Sequence, residues 1–316
     1  MNAPSNPRLP KSVASIGECM IELSGSGKTD GTWKLGFAGD TFNTVWALRA
    51  LIEPEARAHY VSAFGDDPFS RDQLAFLTEH GIGTASSPVI PGARPGLYAI
   101  TLTGAERSFT YWRADAAARQ LASNHAALAK SLKDQSLVYF SGITLAILEP
   151  EARKTLIEAL GVARQDGATI AFDPNYRPRL WSDVPTAQAA IAAALTVTDI
   201  ALPTFPDEQM LVGDSTPAET AARLSEAGVQ EIVVKNGDLP CLVVAKGVHT
   251  TVSALKVEAV DTTGAGDSFN GGYLAARIRG LPPLKAAAKA HQVAAAVVQV
   301  RGALAPFETL KAAFAN

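Results

Sequence analysis

Short apolar or β-branched runs recur along the chain, at Val13–Ile16, His59–Phe64, Leu137–Ser141, Thr169–Asp173, Ile200–Leu202, Glu231–Lys235 and Cys241–Ala245. Each is about the length of a strand. Between several of them lie Ala-, Leu- and Glu-rich segments with helical spacing: Thr41–Leu51, Ser70–His80, Glu149–Gln165, Pro217–Ala227 and Leu284–Val300. This alternation predicts an α/β fold, a largely parallel sheet with helices on both faces. Two regions break the rhythm, Met20–Phe37 and Gly96–Arg113, and both read as antiparallel strands, the second with a hairpin turn at Thr103–Glu106. They predict a small sheet projecting from the main one as a lid, able to exclude water from a reaction. No fixed-period repeat, low-complexity tract or linker divides the chain, so residues 1–316 are expected to form one domain, with lid strands inserted at about 20–37 and 96–113.

With 316 residues, 47% hydrophobic and 19% charged, the chain can bury a full core, which excludes disorder as a whole. The net charge is −3 and no block of like charges occurs, so nothing marks a nucleic-acid or anionic-membrane surface. No apolar stretch is long enough to span a bilayer, and the opening MNAPSNPRLPKS lacks the apolar core of a signal peptide. A cytoplasmic protein is expected. Cys19 and Cys241 stand far apart without metal spacing and read as buried apolar thiols.

Two motifs fail on inspection. Ser24–Asp30 contains Gly27–Lys28–Thr29, but the first glycine of a P-loop would fall on Glu22, so the segment reads as a polar turn between lid strands. Gly266–Asp267–Ser268 suggests a serine hydrolase, yet the only histidine downstream is His291, in an Ala-rich helix, and no aspartate follows Asp267.

The segment that carries chemistry is Val257–Ile278, in which a strand is expected to end at Val260 and a helix to begin near Gly266–Asp267. Gly264 and Gly266 remove Cβ atoms, so backbone N–H groups at the helix start can approach a phosphate or an oxyanion closely. Asp267 falls in the first turn of that helix, where a carboxylate can take the proton from a hydroxyl attacking a phosphoryl group. A lone Asp at a helix start more often caps the helix. Here two glycines and a second acid, Asp261, share the turn, which favours a functional role.

The run Asp261–Thr262–Thr263–Gly264–Ala265–Gly266–Asp267–Ser268–Phe269 resembles the C-terminal signature of the ribokinase-like (PfkB) carbohydrate kinases, and Gly36–Asn43 resembles their N-terminal glycine segment. Further runs resemble the branch of that family acting on 2-keto-3-deoxygluconate: Gly17–Glu22, Pro95–Tyr98, Tyr111–Arg113, Ser141–Ile143 and Asp173–Trp181. The resemblance covers nearly the whole chain. It implies a three-layer α/β/α fold with a mostly parallel central sheet and a small β-sheet lid. It also implies phosphorylation of the sugar acid at O6 by ATP with Mg²⁺, and a homodimer.

Carried over residue by residue, the resemblance assigns Asp267 as base, with Gly264, Ala265 and Gly266 in the anion-binding turn. Gly39, Asp40 and Asn43 would bind the sugar in the cleft, Tyr98 and Tyr111 would reach it from the lid, and Arg113 would hold its carboxylate. Asn175, Arg177, Lys235 and Gly237 would meet the nucleotide, with Arg177 lying between sugar and phosphates. Glu208 would act on Mg²⁺ through water. The chain departs from the family at Phe205, where many relatives carry Asn, and at Pro240, which replaces a glycine and has no backbone N–H to offer. A kinase for another sugar, such as fructose or ribose, and a catalytically silent sugar or nucleotide sensor are the alternatives.

Overall fold

A computed structural model describes residues 11–25, 31–103 and 106–315. The chain enters as β1 (Ser12–Ile16), makes a hairpin of β2 (Met20–Gly25) and β3 (Trp33–Ala38), and continues through α1 (Asp40–Leu51), β4 (Arg57–Val61), α2 (Pro68–Glu79) and β5 (Ile82–Gly83). A second hairpin, β6 (Leu97–Thr103) and β7 (Glu106–Trp112), leads into α3 (His125–Leu132), β8 (Leu137–Ser141), α4 (Gly142–Ala146), α5 (Pro150–Gln165) and β9 (Thr169–Asp173). Then come α6 (Val184–Leu195), β10 (Ile200–Ala201), α7 (Phe205–Val212), α8 (Pro217–Glu226), β11 (Glu231–Val234), β12 (Cys241–Ala245) and β13 (Val248–Val252). Three helices close the chain: α9 (Ala265–Ile278), α10 (Pro283–Val297) and α11 (Phe307–Ala315).

Among the described residues the large sheet has the order β13-β12-β11-β10-β9-β8-β1-β4-β5. Pairing is parallel from β11 to β5, and antiparallel only between β11 and β12 and between β12 and β13, at one edge. Side chains of α1, α2 and α9–α11 pack on one face of the sheet and those of α3–α8 on the other. The strands between them are buried on both sides: in β8, Leu137 and Tyr139 face one layer while Val138 and Phe140 face the other. That is why these strands appear in the sequence as continuous apolar runs rather than alternating ones.

The small sheet has the order β3-β2-β6-β7. Both hairpins are antiparallel, as expected, but they are joined by parallel pairing of β2 with β6, from Ile21 opposite Leu97 to Ser24 opposite Ile100. Tyr98 and Ile100 pack with Met20, Ala38 and Ala303, whereas the alternate residues Ile21 and Phe37 join the main core.

Other expectations need correction. No strand ends at Val260. The sheet edge is taken by β13, reached through a left-handed turn at Lys246 and Gly247, and the N–H groups of Val260 and Asp261 donate to Val298 O at the end of α10 (2.8 and 3.0 Å). The run His59–Phe64 stops pairing at Val61, and Phe64 makes only an isolated bridge to Val89. Helices α3 and α6 lie outside the helical segments named from the sequence, and the Asn124 and Asp183 side chains cap them. Residues 26–30 of the rejected P-loop segment and residues 104–105 of the Thr103–Glu106 turn lie outside the described residues. No described helix is long and apolar enough to cross a membrane.

Helices α1 and α9 pack against each other, and their closeness depends on Gly271. A Cβ there would lie 2.6 Å from Thr44 O and 2.7 Å from Ala47 Cβ. Gly271→Ala should therefore destabilise the fold by about 1–3 kcal/mol. Gly161→Ala in α5, where the nearest atom to the new Cβ is Val197 Cγ1 at 3.7 Å, should stabilise it slightly. Urea denaturation of both variants checks the pair, and a Gly271→Ala protein as stable as the parent would contradict the packing described.

Candidate active site

From β1 the chain builds β4 and β5 on one side and β8–β11 on the other, so its connections diverge at the carboxyl ends of β1 and β8. In an open α/β sheet a crevice forms at such a point. Glu18 follows β1, Asp173 ends β9 and Lys235 follows β11, all at this edge, and the first turns of α1 and α9 converge there.

Gly264 is the N-cap of α9, in the left-handed region with φ 74°, and no side chain caps the helix. Asp267 is thus not a cap. Its Oδ2 accepts from Asn43 Nδ2 at 2.8 Å, and its backbone carbonyl accepts from Thr44 Oγ1 at 3.1 Å. Asn43 Oδ1 in turn accepts the Gly39 N–H at 3.3 Å. A Cβ on Gly39 would lie 2.1 Å from Glu18 O, so the chain can turn there only with glycine. Burial, and then the facing charge of Asp40, push the Asp267 carboxyl up to about 7.

The Gly264–Asp267 turn is braced from outside the cleft. Asp261 accepts from Thr263 N at 2.9 Å and from Gly302 N at 2.8 Å. Ala265 N–H turns back to Thr262 O at 3.3 Å, so that amide is already engaged. The Gly266 and Asp267 amides lie in the first turn of α9, where a helix offers no intrahelical acceptor.

A second set of groups adjoins the first. Asn175, left-handed at φ 36°, donates Nδ2 to Asp40 Oδ2 (2.9 Å) and its backbone N–H to Asp173 Oδ1 (3.1 Å). Asp173 Oδ2 accepts from Lys235 Nζ and Asn270 Nδ2, both at 2.7 Å, and Asn270 also reaches Tyr139 Oη at 3.1 Å. Lys235 and Asp173 are both buried. A Cβ built on Gly266 would stand 3.8 Å from Lys235 Nζ, so the ammonium lies next to the anion-binding turn.

The remaining expected residues lie around this centre. Tyr98 and Tyr111 face each other across β6 and β7 with rings 5.7 Å apart. Tyr98 is buried and its hydroxyl donates to Glu22, while Tyr111 is 48% exposed. The Arg113 guanidinium stands 5.9 Å from the Tyr111 ring and is ion-paired with Glu18. Arg177 Nη1 donates to Asp207 Oδ2 (2.9 Å) and Tyr176 O (2.8 Å). Gly237 sits at φ 62° in the turn from β11 to β12, which Leu239 N closes on Asn236 O at 3.0 Å.

Glu208 is fully covered. Its Oε2 accepts from Arg223 at 2.6 Å, its Oε1 has no partner, and burial, opposed by Arg223, pushes its carboxyl up to about 7. Phe205 at the start of α7 packs toward the core, and its N–H donates to Lys235 O at 2.8 Å. No three His, Cys, Asp or Glu among the described residues form a metal cage. His291 packs edge-on against Phe269, 5.0 Å between ring centres, in keeping with a role in packing.

Glu18, Asp173, Asn270 and Tyr139 also belong to this centre, with no motif that marks their roles. Asn270 had a usable signal, because it follows Asp267 by three residues and so shares its face of α9. Asp173 ends a predicted strand, the place where an α/β sheet presents its ligands.

The pfkB family carbohydrate kinase model matches residues 10–310. The chain is 41% identical over 310 residues to the 2-dehydro-3-deoxygluconokinases of Dickeya dadantii (strain 3937) and Escherichia coli (strain K12), covering 96% of this chain and 99% of each relative. Its fold is similar to the crystal structure of 2-dehydro-3-deoxygluconokinase from Thermotoga maritima, with a TM-score of 0.82 at 21% identity, covering 97% of this chain and 99% of that one. It is also similar to that of fructokinase with bound ATP from Xylella fastidiosa, with a TM-score of 0.80 at 20% identity and 95% of both chains covered. The two sheets, the glycine turn at the head of α9 and these matches agree, and the chain belongs to the pfkB family of carbohydrate kinases.

Proposed function

We propose that the protein transfers the γ-phosphoryl group of ATP to O6 of 2-keto-3-deoxy-D-gluconate, with Asp267 as general base. The observation that carries this reading is the placement of Asp267: at the head of α9, free of any capping duty, and held by Asn43 beside the Gly266 amide. A carboxylate oriented in this way can take the proton of a primary hydroxyl while the amides of Gly266 and Asp267 stabilise the transferring phosphoryl group. Ala265 contributes less, since its N–H is engaged with Thr262. Lys235, next to the same turn, adds a fixed positive charge.

On the sugar side, Gly39, Asp40 and Asn43 offer the cleft floor, Tyr98 and Tyr111 the lid, and Arg113 the cation that a sugar acid requires. Arg177, Asn175 and Gly237 would meet the nucleotide. Mg²⁺ would neutralise phosphate charge, and it usually keeps its waters and takes substrate oxygens as ligands. The lone unpartnered oxygen of Glu208 fits an outer role of that kind, acting through water, and not a protein cage. Two buried free cysteines fit a reducing cytoplasm. The exposed Leu35 and Trp112 of the small sheet suit a homodimer, which light scattering of the purified protein would test.

ADP release from MgATP, with 2-keto-3-deoxygluconate compared against gluconate, fructose and ribose, tests the reading. Strong preference for the keto-deoxy acid is expected, and turnover of only a neutral sugar would overturn the substrate assignment. Arg113→Gln should raise KM for the acid roughly tenfold or more, because a charge-assisted hydrogen bond is lost, while KM for ATP stays unchanged. Since the base must be ionised, kcat should fall as pH drops through about 7, the range in which Asp267 gains its proton.

A further inference from the structure

Glu18 is the most enclosed acid near the cleft that the mechanism does not use. Its side chain is 1% exposed, one carboxylate oxygen is ion-paired with Arg113, and the other, Oε1, is buried with no partner. Arg113 is nearly as enclosed, at 13%, and its Nε is also buried without a partner. The space for this pair is made by Gly96, where a Cβ would stand 2.4 Å from Glu18 Oε1 and 3.2 Å from Arg113 Cβ. Charged groups facing Glu18 are Arg113 after β7, Asp40 at the head of α1 and Arg119 before α3, with the buried Cys19 thiol beside it. Arg113 is the cation in contact with it.

The guanidinium that would receive a substrate carboxylate is therefore already neutralised by one from the protein. A second carboxylate arriving at the same cation leaves two negative charges on one positive charge in a covered site, and one of the two acids must then be protonated. Glu18 is the one enclosed by the protein, its side chain 1% exposed.

We propose that Glu18 is a positioning and specificity-determining residue, which holds Arg113 at the cleft wall and takes up one proton from solvent when the substrate carboxylate binds. The inference rests on the proposed role of Arg113 as the carboxylate site. Burial raises the carboxyl of Glu18, against the pull of Arg113, and so favours its protonated form. Exchange of an internal carboxylate for an external one makes an acidic ligand bind more tightly as pH falls. It also leaves Arg113 without net attraction for stray anions such as inorganic phosphate.

The test is calorimetric binding of 2-keto-3-deoxygluconate to the full chain, without ATP, in two buffers of different ionisation heat and across a pH series. The parent protein should take up close to one proton, and its Kd should rise by up to tenfold per pH unit across the part of the series where that uptake is seen. Glu18→Gln should abolish the uptake, flatten that slope and render the enzyme sensitive to competitive inhibition by inorganic phosphate. Asp267→Asn, run in parallel, should leave the uptake in place, which separates Glu18 from the base. Absence of proton uptake in the parent, or an unchanged slope in Glu18→Gln, overturns the inference. If the parent neither binds nor phosphorylates the acid, it is the substrate assignment that has failed.

Discussion

Asp267→Asn should lower kcat with 2-keto-3-deoxygluconate by about 10²–10⁴-fold, the range that a positioned general base supplies. The substitution keeps the shape of the side chain and can still meet Asn43, so the fold and the cleft should be retained. Affinity for ATP should change little. A second consequence comes from the same carboxyl. Because its value in the folded state is raised above that of an unfolded chain, the ionised form is disfavoured by folding, and that cost grows as pH rises from the ordinary carboxylate range through about 7. The Asn variant does not bear it. At pH 8 the inactive protein should melt higher than the active one, as expected where catalysis requires a charge in an enclosed place. Near-parental turnover, in a coupled ADP assay, would remove Asp267 from the mechanism.

Lys235→Met should be the most damaging single change to stability. It strands Asp173, which is 3% exposed on its side chain, with an uncompensated charge. Breaking a buried pair from one side costs about 3–5 kcal/mol, enough to lower Tm by roughly ten degrees in a chain of this size. Asn270 and the Asn175 N–H still contact the Asp173 carboxylate but bring no charge. Adding Asp173→Asn to Lys235→Met should therefore restore part of the loss, and scanning calorimetry of the two single variants and the double variant reads the coupling. A double variant no more stable than Lys235→Met alone would show that the ion pair is not the source. Activity should be lost in both variants that carry Lys235→Met, since the ammonium stands beside the anion-binding turn.

Two central strands of the large sheet, and β12 next to its edge, were legible because burial leaves their inner positions apolar: Leu137–Ser141, Thr169–Asp173 and Cys241–Ala245 appear with their observed limits. β13 was not legible, since an edge strand exposed on one side reads as His-Thr-Thr, and its only strong signal is the Lys246–Gly247 turn. The run before Asp261 misled for the opposite reason. Val257 and Val260 have strand composition, yet they are 40% and 54% exposed and join neither sheet among the described residues. In the site, the glycine turns were visible because their spacing is local. Glu18 and Asp173 carry no periodicity, and their meaning depends on Arg113 and Lys235, which the sequence places far away. The parallel joining of β2 and β6 was hidden likewise, since nothing in either hairpin specifies its neighbour.

The position of β1 has a consequence for synthesis. β1, the first of the described strands to be synthesised, ends up in the middle of the sheet, flanked by β4 and β8, so one of its hydrogen-bonding edges has no partner until β8 is made, after both hairpins and three helices. At ordinary translation rates that wait is on the order of ten seconds. Throughout it, an apolar strand that the finished protein buries on both faces has an open edge, the kind of surface that pairs with another nascent chain. Truncated products ending before Leu137 should accordingly be captured by chaperones or aggregate, and a translational pause just after β8 would shield the chain more than one placed before it.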